Sequence, residues 1–227
     1  MAPHCGRVMN LLFDLDGTLI DPFEGITKCI SFALVALGKP EPELDSLRWC
    51  IGPPIRENFA KLLGSKDNDL IERAVRQYRE RFSTLGVFEN VIYPGIPEAL
   101  EALRAKGWML CVATSKPGVY AEQILEHLGI KPFFKAIFGS QLDGRLSEKR
   151  SLISHILHEE SIDPHVTAMV GDREHDMIGA VANGVLGIGV LWGYGTRTEL
   201  EVAGASACIL RPEELESTVQ EMEARAV

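Results

Sequence analysis

The stretch Val8-Met9-Asn10-Leu11-Leu12-Phe13-Asp14-Leu15-Asp16-Gly17-Thr18-Leu19 decides how the rest of the chain is read. Its first six residues are almost all apolar, the mark of a strand buried on both faces of a parallel sheet. Such a strand would ordinarily run into a neutral turn. This one runs into two carboxylates, Asp14 and Asp16. Two anions so close repel each other unless a cation lies between them, and a hard cation such as Mg²⁺ suits oxygen donors. The carboxyl end of a strand is also where open α/β sheets place their ligands. The stretch predicts a metal-dependent site at that end, with Gly17 in the tight turn that follows, where backbone must approach closely.

Working outward, strand and helix patterns alternate from Pro94 onward. Apolar runs at 108–113, 136–138, 166–170, 186–191 and 208–210 predict strands. Segments 97–106, 117–128, 148–159 and 176–182 predict helices, with Gly107 and Gly129 as stops and Ser147 as an N-cap. Such alternation means a parallel sheet covered on both faces. Residues 22–91 break the rhythm. Ile26, Ile30, Leu34 and Leu37 recur at helical spacing, as do Leu70, Ala74, Tyr78 and Phe82, and 53–63 fits a third helix. The expectation is an α/β fold: a Rossmann-like parallel-sheet core made of residues 1–21 and 92–227, interrupted by a helical cap at 22–91.

Composition sets the outer limits. The chain has 227 residues, is 46% hydrophobic and carries a formal net charge of −9. That charge argues against a nucleic-acid polymer or an anionic membrane as partner. A small anionic substrate is still compatible, because a bound metal reverses the local sign. Cys5, Cys29, Cys50, Cys111 and Cys208 form no metal-binding or redox spacing. They are expected to be reduced, mostly buried thiols in a cytoplasmic protein. Asp14 cuts short the only early apolar run, so no signal peptide is expected, and no run reaches the roughly 20 residues of a membrane span. Oligomeric state is not encoded legibly.

Four features fall at the expected strand ends: Asp14 and Asp16; Thr114-Ser115-Lys116; Lys149 at a helix start; and Gly171-Asp172-Arg173-Glu174-His175-Asp176. In a parallel sheet these ends share one edge, so groups far apart in sequence can converge. In this order and placement they resemble the motifs of the haloacid dehalogenase superfamily of phosphatases, and the resemblance spans nearly the whole chain, including the position of the helical insertion. Ile51-Gly52-Pro53-Pro54, Val112-Ala113-Thr114-Ser115-Lys116-Pro117 and Trp192-Gly193-Tyr194-Gly195 are similar to the phosphoglycolate-phosphatase-like group, some of whose members are 5′-nucleotidases.

The resemblance implies a division of labour suited to phosphomonoester hydrolysis, a reaction very slow without catalysis. Asp14 would attack phosphorus and form an aspartyl-phosphate. Asp16 would protonate the leaving oxygen and then activate water, a role that calls for a pKa above the usual aspartate value. Asp14, the main-chain carbonyl of Asp16, and Asp172 would hold Mg²⁺. Thr114, Ser115 and Lys149 would bind the phosphate. Asp176 would support Lys149 or water near the metal, with Gly17 and Gly171 as supporting turn residues. The implied substrate is a small phosphorylated metabolite, phosphoglycolate-like or a 5′-nucleotide. Arg56, Lys116 and Arg197 are candidate substrate contacts, and Phe23, Trp49, Phe59 and Tyr78 candidate walls for a base. His175 invites a metal-ligand reading, but a borderline metal would need more nitrogen or sulfur nearby. The glycines at 187, 189, 193 and 195 lack dinucleotide-loop spacing.

Other readings fit less well. Related sugar-phosphate mutases carry a histidine early in the insertion, where this chain has Gly25-Ile26-Thr27. Dehalogenases and phosphonate hydrolases lack the carboxylate that Asp16 supplies. A phospho-receiver domain would be shorter and without a helical insertion. A catalytically inactive binder would not be expected to retain every reactive group.

Overall fold

Alternation along the first strand sets the layers. The computed structural model describes residues 9–225, so Cys5 and the Val8 end of the opening run lie outside the described residues. In β1 (Asn10–Phe13), Leu11 and Phe13 join one apolar cluster and Leu12 joins another, on the opposite face. β4 (Met109–Pro117) and β6 (Thr167–Gly171) flank β1, both parallel to it. β5 (Ala136–Ser140) extends the sheet beyond β4, and β7 (Leu186–Val190) and β8 (Ala207–Ile209) extend it beyond β6. Among the described residues the order is β5-β4-β1-β6-β7-β8, parallel throughout.

The chain steps outward from β1 to β4 and β5, then returns to the other side of β1. That reversal opens a crevice at the carboxyl ends of β1, β4 and β6. Phe13 is level with Val112 on one side and Val170 on the other, which brings Asp14, Thr114 and Asp172 to the same edge.

One face of the sheet is covered by α6 (Lys149–Glu159) and α7 (Glu174–Ala182), through Leu152, Ile153, Ile156 and Ala180. The other face is covered by α4 (Ile96–Ala105), α5 (Gly118–His127) and α9 (Leu215–Arg225). Glycines 107 and 129 follow α4 and α5 with φ of +79° and +73°, as their stop positions require.

Residues between β2 (Ile20–Asp21) and β3 (Val91–Ile92) are helical: α1 (Phe23–Ala36), α2 (Ile55–Leu63) and α3 (Asn68–Phe82), with a 3₁₀ segment at Leu44–Cys50. Ile26, Ile30, Phe59, Ile71, Val75 and Phe82 form their interior, and this cluster runs on into the α5 face of the sheet.

Several details differ from the sequence reading. β2 and β3 pair antiparallel where the chain enters and leaves the helical stretch; two-residue strands leave no periodicity to detect. β4 continues through Thr114-Ser115-Lys116 instead of ending at Ala113. Ser147 is not the cap of α6: Glu148 takes that position and makes no side-chain cap bond, while Leu146 just before it has a positive φ of 60°. α8 (Arg197–Val202) and α9 have no counterpart in the sequence reading. Cys29, Cys50, Cys111 and Cys208 are all free thiols, and the first three are buried. Burial pushes Cys50 up to about 12 and Cys111 to about 11, which makes both poor nucleophiles.

Candidate active site

Lys149, at the first turn of α6, points its ammonium under the sheet edge. Its Nζ lies 2.7 Å from Asp14 Oδ1 and 2.6 Å from Asp176 Oδ1, and it donates to the Ala113 carbonyl at 2.7 Å. Burial alone would depress this ammonium, yet Asp14 and Asp176 overcome that and hold it above its ordinary pKa. Lys149 is therefore a fixed positive charge beside Asp14. Asp14 itself is pinned by its backbone N–H, which donates to the Val170 carbonyl at 2.9 Å.

Asp16 turns away from this pair. Its Oδ1 accepts from Lys116 Nζ at 2.6 Å, and the same ammonium lies 5.0 Å from the centre of the Phe82 ring. Burial raises the Asp16 pKa; Lys116 pulls the other way, and the Asp14 charge adds to the rise. The two carboxylates of the opening motif are thus separated by environment, one beside Lys149 and the other beside Lys116.

Asp172 follows β6 and is fully buried. Its Oδ2 accepts the Tyr194 N–H at 2.8 Å, and the Thr18 hydroxyl reaches Oδ1 only at 3.5 Å. Burial, then the charges of Asp14 and Asp176, push its pKa well up. Asp176, on the first turn of α7, accepts the Arg173 N–H at 3.2 Å and is raised to about 6, chiefly by burial. Its other oxygen makes the Lys149 ion pair without an aligned hydrogen bond.

Oxygens of Asp14, Asp172 and Asp176 all lie within 4.8 Å of one another. Four buried carboxylates here face two buried ammonium groups, those of Lys116 and Lys149. The excess of negative charge and an all-oxygen donor set fit a hard divalent cation. The Asp16 side chain is not in this cluster, whereas Asp176 joins Asp14 and Asp172 in it. His175 is half-buried and outside the cluster.

Thr114 is buried, and its Oγ1 accepts the Lys116 N–H at 3.2 Å. Ser115 is half-exposed and lines a cavity of about 340 Å³. Gly17 has a φ of +86°, and a Cβ there would lie 2.2 Å from Asp172 Oδ2; glycine is needed both for the turn and for the approach of that carboxylate. A Cβ at Gly171 would meet Asp176 Cγ at 2.3 Å.

The cavity lies between Asp16 and Lys116 on one side and residues 52–58, Tyr78 and Phe82 on the other. Of the four aromatics singled out by sequence, Tyr78 lines it. Phe59 is fully buried, Trp49 is exposed beside Lys61, and Phe23 carries the Arg48 guanidinium on its ring. Phe82 and Tyr120, in edge contact at 5.2 Å, complete the aromatic wall. Arg56 lines the cavity and pairs with Glu72. Arg197 is exposed and pairs with Glu201.

One role and one contributor were not evident from sequence: Lys116 as the partner of Asp16, and Tyr194. Sequence makes Lys116 a candidate substrate contact; its spacing of two from Thr114 along a strand is the signal that could have placed it inward beside Asp16. Tyr194 acts through its backbone amide, which leaves no side-chain signature.

The chain matches the family model described as haloacid dehalogenase-like hydrolase over residues 11–190. It is 50% identical over 194 residues to a 5′-nucleotidase of Pseudomonas aeruginosa, covering 86% of this chain and 87% of the relative. It is 39% identical over 185 residues to the tyrosine-protein kinase PtkA of Mycobacterium tuberculosis, covering 82% of this chain and 62% of the relative. The crystal structure of a predicted phosphatase from Clostridium acetobutylicum superposes with a TM-score of 0.90 at 40% identity, covering 94% of this chain and 99% of that one. The chain belongs to the haloacid dehalogenase-like hydrolases and is a phosphatase of that family.

Proposed function

We propose that this hydrolase removes phosphate from a nucleoside monophosphate or a comparably large phosphate monoester, with Mg²⁺ as its metal. The observation that carries the chemistry is the convergence of Asp14, Lys149, Thr114 and Asp172 on one sheet edge, with Asp16 held apart by Lys116. A carboxylate oxygen of Asp14 attacks phosphorus. Asp16, its pKa raised by burial, gives its proton to the leaving oxygen and then takes one from the water that cleaves the aspartyl-phosphate. Thr114, Ser115 and Lys149 bind the phosphate oxygens. Asp14, Asp172 and the Asp16 main-chain carbonyl would hold the metal, which would supply positive charge to offset that of the phosphate. Asp176 keeps Lys149 in place.

Among the described residues, 22–91 form the cap and 9–21 with 92–225 the catalytic core. The cap carries the leaving-group side of the cavity, and Asp21-Pro22 and Tyr93-Pro94-Gly95 serve as hinges. A cavity of about 340 Å³ with Tyr78, Phe82 and Tyr120 on its wall is generous for phosphoglycolate and suits a base and sugar. The 5′-nucleotidase relative points the same way. Among the described residues no helix is long and apolar enough to cross a membrane, and the net charge of −9 suits a cytoplasmic enzyme of small metabolites.

A screen of phosphate monoesters with Mg²⁺ tests this reading. Nucleoside 5′-monophosphates should be turned over with the highest kcat/KM, above phosphoglycolate. A preference for phosphoglycolate would overturn the substrate assignment, and no phosphate release from any monoester would overturn the function.

A further inference from the structure

Trp192-Gly193-Tyr194-Gly195 takes no part in the proposed chemistry, yet it lies flat against the floor of the site. A Cβ at Gly193 would meet the Gly17 carbonyl oxygen at 2.3 Å and Asp172 Cβ at 2.5 Å, and one at Gly195 would lie 1.9 Å from the Asp172 carbonyl oxygen. Side chains at either position would push the segment off. Three hydrogen bonds hold it down. Trp192 Nε1–H donates to the Thr18 carbonyl at 2.9 Å, the Tyr194 N–H donates to Asp172 Oδ2 at 2.8 Å, and the Tyr194 hydroxyl donates to Asp21 Oδ1.

Asp21 is a junction. The same Oδ1 accepts the Phe23 N–H at 2.9 Å, at the start of α1, and its backbone pairs with Val91 across the β2–β3 ribbon. Tyr194 therefore grips a carboxylate of the acidic cluster with its amide and the entrance to the helical segment with its phenol. Asp172 has little else to fix its rotamer, since the Thr18 hydroxyl is at 3.5 Å.

We propose that Tyr194 is a positioning residue that ties the placement of Asp172 to the placement of Asp21, so that affinity for the metal depends on the crossing into the helical segment. This rests on the reading that Asp172 holds the metal. Tyr194→Phe removes the hydroxyl but keeps the ring and the amide. Asp21→Ala removes the acceptor, while Asp21→Asn keeps an acceptor oxygen for both donors.

Calorimetric titration of the substrate-free full chain with Mg²⁺ provides the test, alongside Asp172→Asn. Loss of one partly buried hydrogen bond should weaken binding by about three- to tenfold in Tyr194→Phe and in Asp21→Ala. Asp21→Asn should bind as the wild type does. The double variant Tyr194→Phe/Asp21→Ala should be no weaker than the weaker single variant, because both remove the same bond. If either single variant fails to fold, the other reports on the same bond. Wild-type affinity in the folded single variants, with Asp172→Asn weakened, would overturn the inference alone, as would additive losses in the double variant. Unaltered affinity in Asp172→Asn would overturn the metal reading and the inference with it.

Discussion

At the carboxyl edge of the sheet, Asp14, Asp16, Asp172, Asp176, Lys116 and Lys149 are each at most 9% exposed, and all but Asp172 are joined by ion pairs. In the helical residues 23–82 the buried side chains are apolar apart from Thr27, Ser31, Asn58 and the Tyr78 hydroxyl. The two regions meet through arginines that donate to backbone carbonyls: Arg173 to Ile51 at 2.7 Å, and Arg79 to Leu142 at 2.6 Å. Apolar contacts accompany them, Phe82 against Tyr120 among them, where the helical interior runs on into the α5 face of the sheet. Bonds to a carbonyl can be exchanged for water at modest net cost, whereas an unpaired charge in the buried cluster is costly. The contrast teaches that the helical side is held mainly by apolar packing and the edge by charge, so that a change in the helices should act first on stability and a change at the edge first on chemistry.

The largest effect expected is at the edge. Asp14→Asn should lower kcat toward an aryl phosphate by about 10⁴-fold or more, with the melting temperature held or raised because one of four buried anions is removed. A second measurement takes the contrast to the helical side. Phe59 is fully buried, and Phe59→Ala should cost about 3–5 kcal/mol in chemical denaturation. Turnover of the aryl phosphate per folded molecule should stay within a few-fold. A proportionate loss of chemistry would break the distinction between the regions.

Arg173→Ala probes the seam. Loss of its bond to Ile51 should reduce kcat/KM for the preferred monoester by about tenfold, and for a small aryl phosphate by less, because the small ester uses less of the helical wall. Equal losses would place Arg173 with the chemistry.

The smallest effect lies at the hinge side of the helices. The Arg81 hydrogen bond holds the Glu89 carboxyl below its ordinary 4.5, against the opposing effect of burial. A depressed folded pKa stabilises above the unfolded value and is lost as pH falls through the folded one. Wild type should therefore lose stability relative to Glu89→Gln as pH falls below 4.5, by a small margin for a partly exposed pair.

The same contrast explains what was legible. Asp14, Asp172 and Thr114 stand at fixed offsets from apolar strands, so their neighbourhood follows from the parallel topology. Lys149 and Asp176 follow because each opens a helix after such a strand. The helical segment was legible as helices, from the spacing of Ile26, Ile30 and Leu34, but not as a pocket. Which aromatic faces the cavity depends on helix packing, so Phe59 went to the interior while Phe82 and Tyr120 lined the wall. The pairing of Lys116 with Asp16 was obscured because β4 continues past Ala113 and carries Lys116 inward. Tyr194 was obscured because its contact with Asp172 is made by an amide that every residue but proline has.

Rapid-quench single turnover with phosphate-labelled monoester tests the central claim, that Asp14 is the group that takes the phosphate. Label should transfer transiently to the protein and map to the peptide containing Asp14, and Asp14→Asn should show none. Label on a different residue, or single-turnover release with no protein-bound label at any time point, would contradict it.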